Sequence, residues 1–262
     1  DSYDDLSATL PGLGITNGIT SGDIDGDGWM DLVLSNNGQN YLWYNDHGIW
    51  KDQTAARLPQ LENVTQDIEF GDYDNDGDLD MLVGNESDNQ ILQNDGSGVF
   101  KDISSQVFTS GISEETREAD FGDVDGDGDL DIYFANVQFF GKQPAVQRLL
   151  INENGIYTDR STSQLHLADT GGTVDGDFYD IDGDGDLDLI TGNGTLQGTE
   201  NGLTIALNDG NGNYNDATEE LLETPIKQLV IDVEVADFNG DGVADIYLSC
   251  FRSEDRLLFG KK

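Results

Sequence analysis

The chain has 262 residues, of which 53 are acidic and 12 basic, for a formal net charge of −41. A body this negative repels nucleic acid and anionic membrane, and it repels itself unless cations neutralise it. The single cysteine, Cys250, excludes an internal disulfide, and no apolar run approaches the roughly 20 residues that cross a bilayer.

In chain order, the first element is a fragment. Tyr3 to Ser7 reads YDDLS, an aromatic-x-Asp-x-Ser/Thr pattern with no strands before it. No signal peptide is visible ahead of it, so a mature or trimmed chain is expected. Then a nine-residue motif, Asp-x-Asp/Asn-x-Asp-Gly-x-x-Asp, begins at Asp23 and recurs at Asp72, Asp123, Asp180 and Asp237, with spacings of 49, 51, 57 and 57 residues. Each copy follows a segment with apolar residues two and four places upstream, such as Ile68 and Phe70. Each leads into a short apolar strand (DLVLSN, DMLVGN, DIYFAN, DLITGN, DIYLSC), a polar turn and a third strand. A hairpin follows, and the unit closes on WKDQT at Trp50, FKDIS at Phe100, YTDRS at Tyr157 and YNDAT at Tyr214. A period near 50 residues with four short strands per unit predicts an all-β propeller of five four-stranded blades in one domain, residues 1–262. The repeats are expected near 8–54, 55–104, 105–161, 162–218, and 219–262 joined to 1–7. The last unit stops at RLLFGKK, and RLLFGKK-DSYDDLS matches RLLINENGIYTDRS in length and pattern. The N-terminal strand is therefore expected to complete the last blade, within the chain or on a neighbouring chain.

The motif has the chemistry of a calcium cage. Calcium takes six to eight hard oxygens in flexible geometry. Aspartates at alternate places of a loop converge on one side, glycine at place six allows the sharp turn, and an aspartate at place nine can bind through both oxygens. The expected side-chain ligands are Asp23, Asp25, Asp27 and Asp31; Asp72, Asp74, Asp76 and Asp80; Asp123, Asp125, Asp127 and Asp131; Asp180, Asp182, Asp184 and Asp188; and Asp237, Asn239, Asp241 and Asp245. Backbone carbonyls at place seven, from Trp29, Asp78, Asp129, Asp186 and Val243, add to them. About five Ca²⁺ sites result, the fifth being the weakest because Asn239 replaces a carboxylate. An EF-hand is excluded: its twelfth place is a glutamate between helices, whereas these loops have Leu34, Val83, Phe134, Thr191 and Leu248 there, with strand-like flanks.

This pattern resembles the FG-GAP (also VCBS) repeats of integrin α-subunit propellers and many bacterial surface proteins, over nearly the whole chain. The resemblance implies a calcium loop between the first and second strands of each blade. Integrin propellers have seven blades, so either this ring closes with five or its units belong to a larger or intermolecular assembly.

Three further features stand out. Acidic residues lie five and three places before four of the loops: Asp67 and Glu69, Glu118 and Asp120, Asp175 and Asp177, Asp232 and Glu234; the first unit has Gly18 and Thr20. On the innermost strand they ring the channel, as a hydrated wall, an ion site or a carboxylate pair for glycoside chemistry. The long turn of unit three bears Phe139, Phe140 and Lys142, a candidate ligand loop. Three sequons occur, at Asn63, Asn85 and Asn193. His47 and His166 neighbour no nucleophile, and Cys250 stands where other units have asparagine, as a small buried residue.

The function expected is a calcium-stabilised extracellular or cell-surface adhesion module with a protein or carbohydrate ligand. It is not expected to be an enzyme, to bind nucleic acid or to insert in a membrane. A structural subunit that self-assembles by strand complementation is the alternative, and a glycosidase using channel acids comes third.

Overall fold

A computed structural model of the chain describes residues 5, 10, 15–109, 111, 113–138, 145–167, 172–194 and 201–261. Short β-branched and aromatic segments separated by Asp-Gly turns pair as antiparallel strands, because each is long enough to bury two or three side chains per face and no longer. Blade 1 comprises β1 (Thr16–Gly22), β2 (Asp31–Asn36), β3 (Tyr41–Asp46) and β4 (Ile49–Asp52), followed by α1 (Thr54–Arg57). Blade 2 has β5 (Thr65–Gly71), β6 (Asp80–Asn85), β7 (Gln90–Asn94) and β8 (Phe100–Asp102), then α2 (Ser104–Val107). Blade 3 has β9 (Thr116–Gly122), β10 (Asp131–Asn136), β11 (Arg148–Asn152) and β12 (Tyr157–Asp159), then α3 (Ser161–Gln164) and β13 (Leu165–His166). Blade 4 has β14 (Thr173–Tyr179), β15 (Asp188–Asn193), β16 (Leu203–Asn208) and β17 (Tyr214–Asp216), then α4 (Thr218–Leu221). Blade 5 has β18 (Val230–Ala236), β19 (Asp245–Cys250) and β20 (Arg256–Leu258).

The five sheets form a ring, a five-bladed β-propeller. First strands pack on first strands, β1 on β5, β5 on β9, β9 on β14 and β14 on β18, so they line the axis. Each nine-residue motif joins first strand to second: Gly22 pairs with Asp31, Gly71 with Asp80, Gly122 with Asp131, Tyr179 with Asp188 and Ala236 with Asp245. All five loops therefore lie on one face of the ring.

The hydrophobic core sits between blades. Ile24, Val33 and Leu42 of blade 1 meet Ile68, Met81, Val83 and Phe100 of blade 2. Tyr73, Leu82 and Ile91 meet Ala119, Ile132, Phe134 and Tyr157. Val124, Tyr133 and Leu149 meet Leu189, Ala206 and Tyr214, and Ile190 and Ile205 meet Val233, Ile246 and Leu248. Each fully buried aliphatic or aromatic side chain stabilises by about 1.5–3 kcal/mol relative to exposure.

The closing pattern of each unit turns out to be a corner. Asp102 Oδ1 accepts the Ser104 N–H at 3.0 Å, while Ser104 Oγ accepts the Ile91 N–H at 3.0 Å. Asp52 with Thr54, Asp159 with Ser161 and Asp216 with Thr218 repeat this arrangement. The hydroxyl tethers a single helical turn to the third strand, an element beyond the four-strand expectation. Blade 4 also gains a fifth, outer strand, because Leu165–His166 runs parallel to β17. Blade 5 has three strands among the described residues, and the expected closing strand at 1–7 lies outside them, Asp5 excepted. Among the described residues no helix is long and apolar enough to cross a membrane.

Candidate metal centres

Each loop is wound around its first aspartate. Asp23 accepts the N–H groups of Asp27 and Gly28 at 3.0 and 2.8 Å, and Asp72 those of Asp76 and Gly77, both at 2.9 Å. Asp123 and Asp237 hold their loops in the same way, and Asp180 accepts instead the N–H groups of Gly183 and Gly185, at places four and six. The place-five carboxylates of Asp27, Asp76, Asp127, Asp184 and Asp241 then accept the N–H of place seven: Trp29, Asp78, Asp129, Asp186 and Val243. The chain can turn this tightly only through positive φ at place six, 87° at Gly28 and 95° at Gly77, and at place four, where Asn75 at 59° substitutes for glycine.

The winding brings carboxylates together. In loops 1 and 3 the oxygens of Asp23, Asp25 and Asp27, and of Asp123, Asp125 and Asp127, lie within 4.8 Å of one another. In loops 2 and 4 the groups are Asp72, Asp74 and Asp80, and Asp180, Asp182 and Asp188. These four clusters can hold metal ions. Place three supplies the decisive observation: Asp25 Oδ1, Asp74 Oδ1 and Asp125 Oδ1 are buried with no hydrogen-bond partner. A buried anionic oxygen without a donor is costly, and a hard cation among oxygen ligands removes that cost. The donor set of carboxylate oxygens without nitrogen or sulfur fits calcium. The partner oxygens are fixed from outside, Asp74 Oδ2 by Gln93 at 2.7 Å and Asp25 Oδ2 by Arg57 at 3.5 Å. Arg57 also stacks on Tyr44, with its guanidinium carbon 4.7 Å from the ring centroid, and donates to the Ser97 carbonyl of the next blade.

Loop 5 differs. The Asn239 amide nitrogen lies 3.5 Å from Asp245 Oδ1, so it faces that carboxylate as a donor and not as a further anion. No acidic cluster of the kind seen in loops 1 to 4 forms there among the described residues.

The place-nine aspartates have a second role that the motif alone does not reveal. Asp31, Asp80, Asp131, Asp188 and Asp245 are at most 1% exposed. One oxygen of each accepts an N–H at the end of the third strand or just beyond it, from Asn45, Asn94, Asn152, Asn208 and Gly260, at 2.7 to 2.9 Å. The other accepts the place-two N–H of its own loop. Burial pushes Asp31 up to about 6 and Asp80 and Asp131 up to about 7. These carboxylates are structural pins as well as candidate ligands.

The third-strand asparagines were missed by sequence reasoning. Asn94 Nδ2 donates to the Ile24 carbonyl in the preceding blade's loop at 2.8 Å; Asn152 reaches Tyr73 at 3.2 Å and Asn208 reaches Val124 at 2.7 Å. The recurring Asn before each hairpin glycine was the available signal.

The channel acids are used between blades. Glu69 Oε2 accepts the Phe121 N–H at 2.7 Å and Asp120 Oδ2 the Phe178 N–H at 3.2 Å. Asp67 accepts from Ala119 at 3.4 Å and Asp175 from Val233 at 2.5 Å. Each cap satisfies an edge N–H of the next innermost strand. Burial, with repulsion from neighbouring acids, pushes Glu69 and Glu118 strongly up; Asp175 rises to about 8 and Asp177 to about 7. Asp232 and Glu234, on blade 5, are exposed.

Phe139, Phe140 and Lys142 lie outside the described residues. Two of the sequon asparagines, Asn85 and Asn193, are fully buried and bonded to Thr65 and Thr173, so the folded chain offers neither for modification; Asn63 is half-buried. Cys250 is buried, and His47 and His166 are exposed.

Comparison with known proteins adds a family and a fold. The FG-GAP-like repeat pattern matches residues 23–83, 72–134 and 180–248, together more than half of the chain. No curated protein sequence matches the chain closely. Among solved structures, a lectin of Agrocybe aegerita, described as recognising non-reducing terminal N-acetylglucosamine, is similar with a TM-score of 0.54 at 17% identity over 89% of this chain. The V. cholerae biofilm matrix protein Bap1 gives 0.51 at 16% over 92%, and BBS1N, solved in complex with ARL6DN, gives 0.55 at 13% over 94%. This chain spans 60% of the lectin, 36% of Bap1 and 67% of BBS1N.

Proposed function

The chain belongs to the FG-GAP-like repeat family, and from that premise we propose that it is a calcium-stabilised binding module that works outside the cell or on its surface. The observation that carries the reading is the row of buried, partnerless place-three oxygens, Asp25 Oδ1, Asp74 Oδ1 and Asp125 Oδ1, each inside an acidic cluster. Calcium bound there supplies the missing positive charge, and a compartment with millimolar free calcium keeps such sites filled. The chain's own residues shape the cage: place one winds the loop, place five turns it, and place nine pins it to the third strand.

The ligand in this reading is a protein or a carbohydrate, met by the loops that leave the rigid blades. A lectin and a protein-binding propeller among chains of similar fold support both classes. Catalysis is not part of the reading, since four channel acids are engaged as backbone acceptors. Titration calorimetry with calcium, followed by binding to glycan and protein panels with and without chelator, tests it. Calcium uptake together with calcium-dependent binding is the expected result. No calcium uptake, or hydrolysis of a panel glycan, would overturn it.

A further inference from the structure

The third-strand asparagines each hold two loops. Asn94 Nδ2 donates to the Leu79 carbonyl at place eight of loop 2, at 3.0 Å, and to the Ile24 carbonyl at place two of loop 1, at 2.8 Å. Asn152 bridges Leu130 of loop 3 and Tyr73 of loop 2, both at 3.2 Å. Asn208 bridges Leu187 of loop 4 and Val124 of loop 3, at 3.0 and 2.7 Å. Their side-chain oxygens accept hairpin N–H groups, from Gly96 and Gly98, from Gly155, and from Gly210 and Gly212. Both ends of each amide are thus fixed, and the three asparagines are at most 6% exposed.

The backbone continues the connection. The N–H of each asparagine goes to the place-nine carboxylate of its own loop, and the other oxygen of that carboxylate takes the place-two N–H. The place-two residue then offers its carbonyl to the asparagine of the next blade. Hydrogen bonds therefore run unbroken from Ile24 in loop 1 to Ile181 in loop 4, through Asp80, Asp131 and Asp188. The clamped peptides are those that join Ile24 to Asp25, Tyr73 to Asp74 and Val124 to Asp125. These three aspartates are the ones with a buried oxygen that no donor reaches. In loop 4 the place-three residue, Asp182, is exposed. Blade 5 has Gly260 where the asparagine stands: its N–H still meets Asp245 at 2.9 Å, but it has no amide to reach back to loop 4, and an added Cβ would collide with the Ala244 carbonyl.

We propose that Asn94, Asn152 and Asn208 are positioning residues that couple the candidate metal sites of loops 1 to 4, so that filling one loop raises the affinity of the loops linked to it. The proposal rests on the calcium reading. A carboxylate that binds an ion loses orientational freedom. At Asp80 this steadies the Asn94 backbone, and the Asn94 amide steadies the peptide that carries Asp25. Loop 1 then has less ordering left to do when its own ion arrives, which is positive coupling. Linkage makes the effect mutual. Loop 5 has no such link and stays outside the series.

Contact along a chain of hydrogen bonds does not by itself demonstrate coupling, so the test is a double-mutant cycle on the whole chain. The three tryptophans, Trp29, Trp43 and Trp50, all belong to blade 1, and the Trp29 N–H donates to Asp27 at 2.8 Å. Terbium, a hard oxygen-seeking ion like calcium, luminesces when a nearby tryptophan is excited, and so reports loop 1. Its midpoint is measured for the parent, Asp74→Ala, Asn94→Ala and the double variant, in salt that screens the lost charge, while calorimetry counts the calcium ions bound by each. Asp74→Ala should weaken loop 1 about fivefold or more, although no ligand of that loop is changed, and should do so far less once Asn94 is replaced. If Asn94→Ala melts too low to titrate, Asn94→Asp takes its place, because it keeps the shape and the hairpin acceptor and loses both donors. A loop 1 midpoint that Asp74→Ala leaves unchanged, or shifts equally with and without Asn94, overturns the coupling and leaves the calcium reading standing. Loss of loop 2's ion from the Asn94 variant alone also overturns it, since Asn94 would then serve one cage and link none. A parent chain that takes up no calcium overturns both.

Discussion

The loops and the central channel both concentrate carboxylates, and the molecule handles the two in opposite ways. In loops 1 to 4 the acids converge at the rim of the ring, and in the first three a place-three oxygen is left with no donor. In the channel the acids lie against the next blade and accept its edge N–H groups, and burial raises their proton affinity. A charge that water cannot reach is neutralised either by a cation or by a proton. Rim acids gathered about a common centre suit the cation, while channel acids, spent on backbone donors, suit the proton.

The largest break in this comparison is removal of calcium. Chelation should lower stability by several kcal/mol in total, at about 1 kcal/mol for each occupied site at millimolar calcium. Thermal melting with chelator and with calcium measures it; coincident curves would mean that the loops need no ion.

The channel predicts a pH dependence of defined sign. Asp175 and Asp177, with folded values near 8 and 7, bind protons that the unfolded chain has released above about 4. Their contribution is fully present below the unfolded pKa and is lost as pH rises through 7 and 8. In chelator, melting temperature should therefore fall from pH 5 to pH 9. With calcium present the rim acids oppose that trend, because protons compete with the ion as pH falls. A chelated protein that grows more stable toward pH 9 would contradict the assignment of protons to the channel.

Among the loops, Asp74→Ala should abolish one calcium site and cost about 1 kcal/mol in calcium, whereas Asn239→Ala should change the measured stoichiometry little. Equal losses would mean that loop 5 binds as well as loop 2. The smallest effect is expected for Asp175→Asn. Its amide oxygen can still accept the Val233 N–H, so stability at pH 5 should stay within about 0.5 kcal/mol while the slope between pH 7 and pH 9 flattens. An unchanged slope would show that Asp175 does not hold the proton.

Much of this was legible before any coordinates. The motif Asp-x-Asp-x-Asp-Gly-x-x-Asp specifies its own turn, because the glycine and the first aspartate act within six residues of each other. The strands follow the alternation of apolar residues, and the unit length sets one blade. What lay hidden was whatever passes between units. The clamp from Asn94 to Ile24 spans 70 residues, the Asp175 cap on Val233 spans 58, and the helical turns after each closing pattern depend on a third-strand N–H. The sequons at Asn85 and Asn193 read as surface signals and proved to be buried joints, since a three-residue pattern says nothing of what packs above it.

By itself, then, the sequence determined the repeat, the five loops and their oxygen donors, because those depend on contacts within about a dozen neighbouring residues. Only the tertiary structure decided which carboxylates point at a common centre and which cap a neighbouring blade, and which side chains fill the four packed junctions seen among the described residues. Burial and register across blades are properties of the assembled ring, and a local pattern repeated five times is nearly the same at every junction.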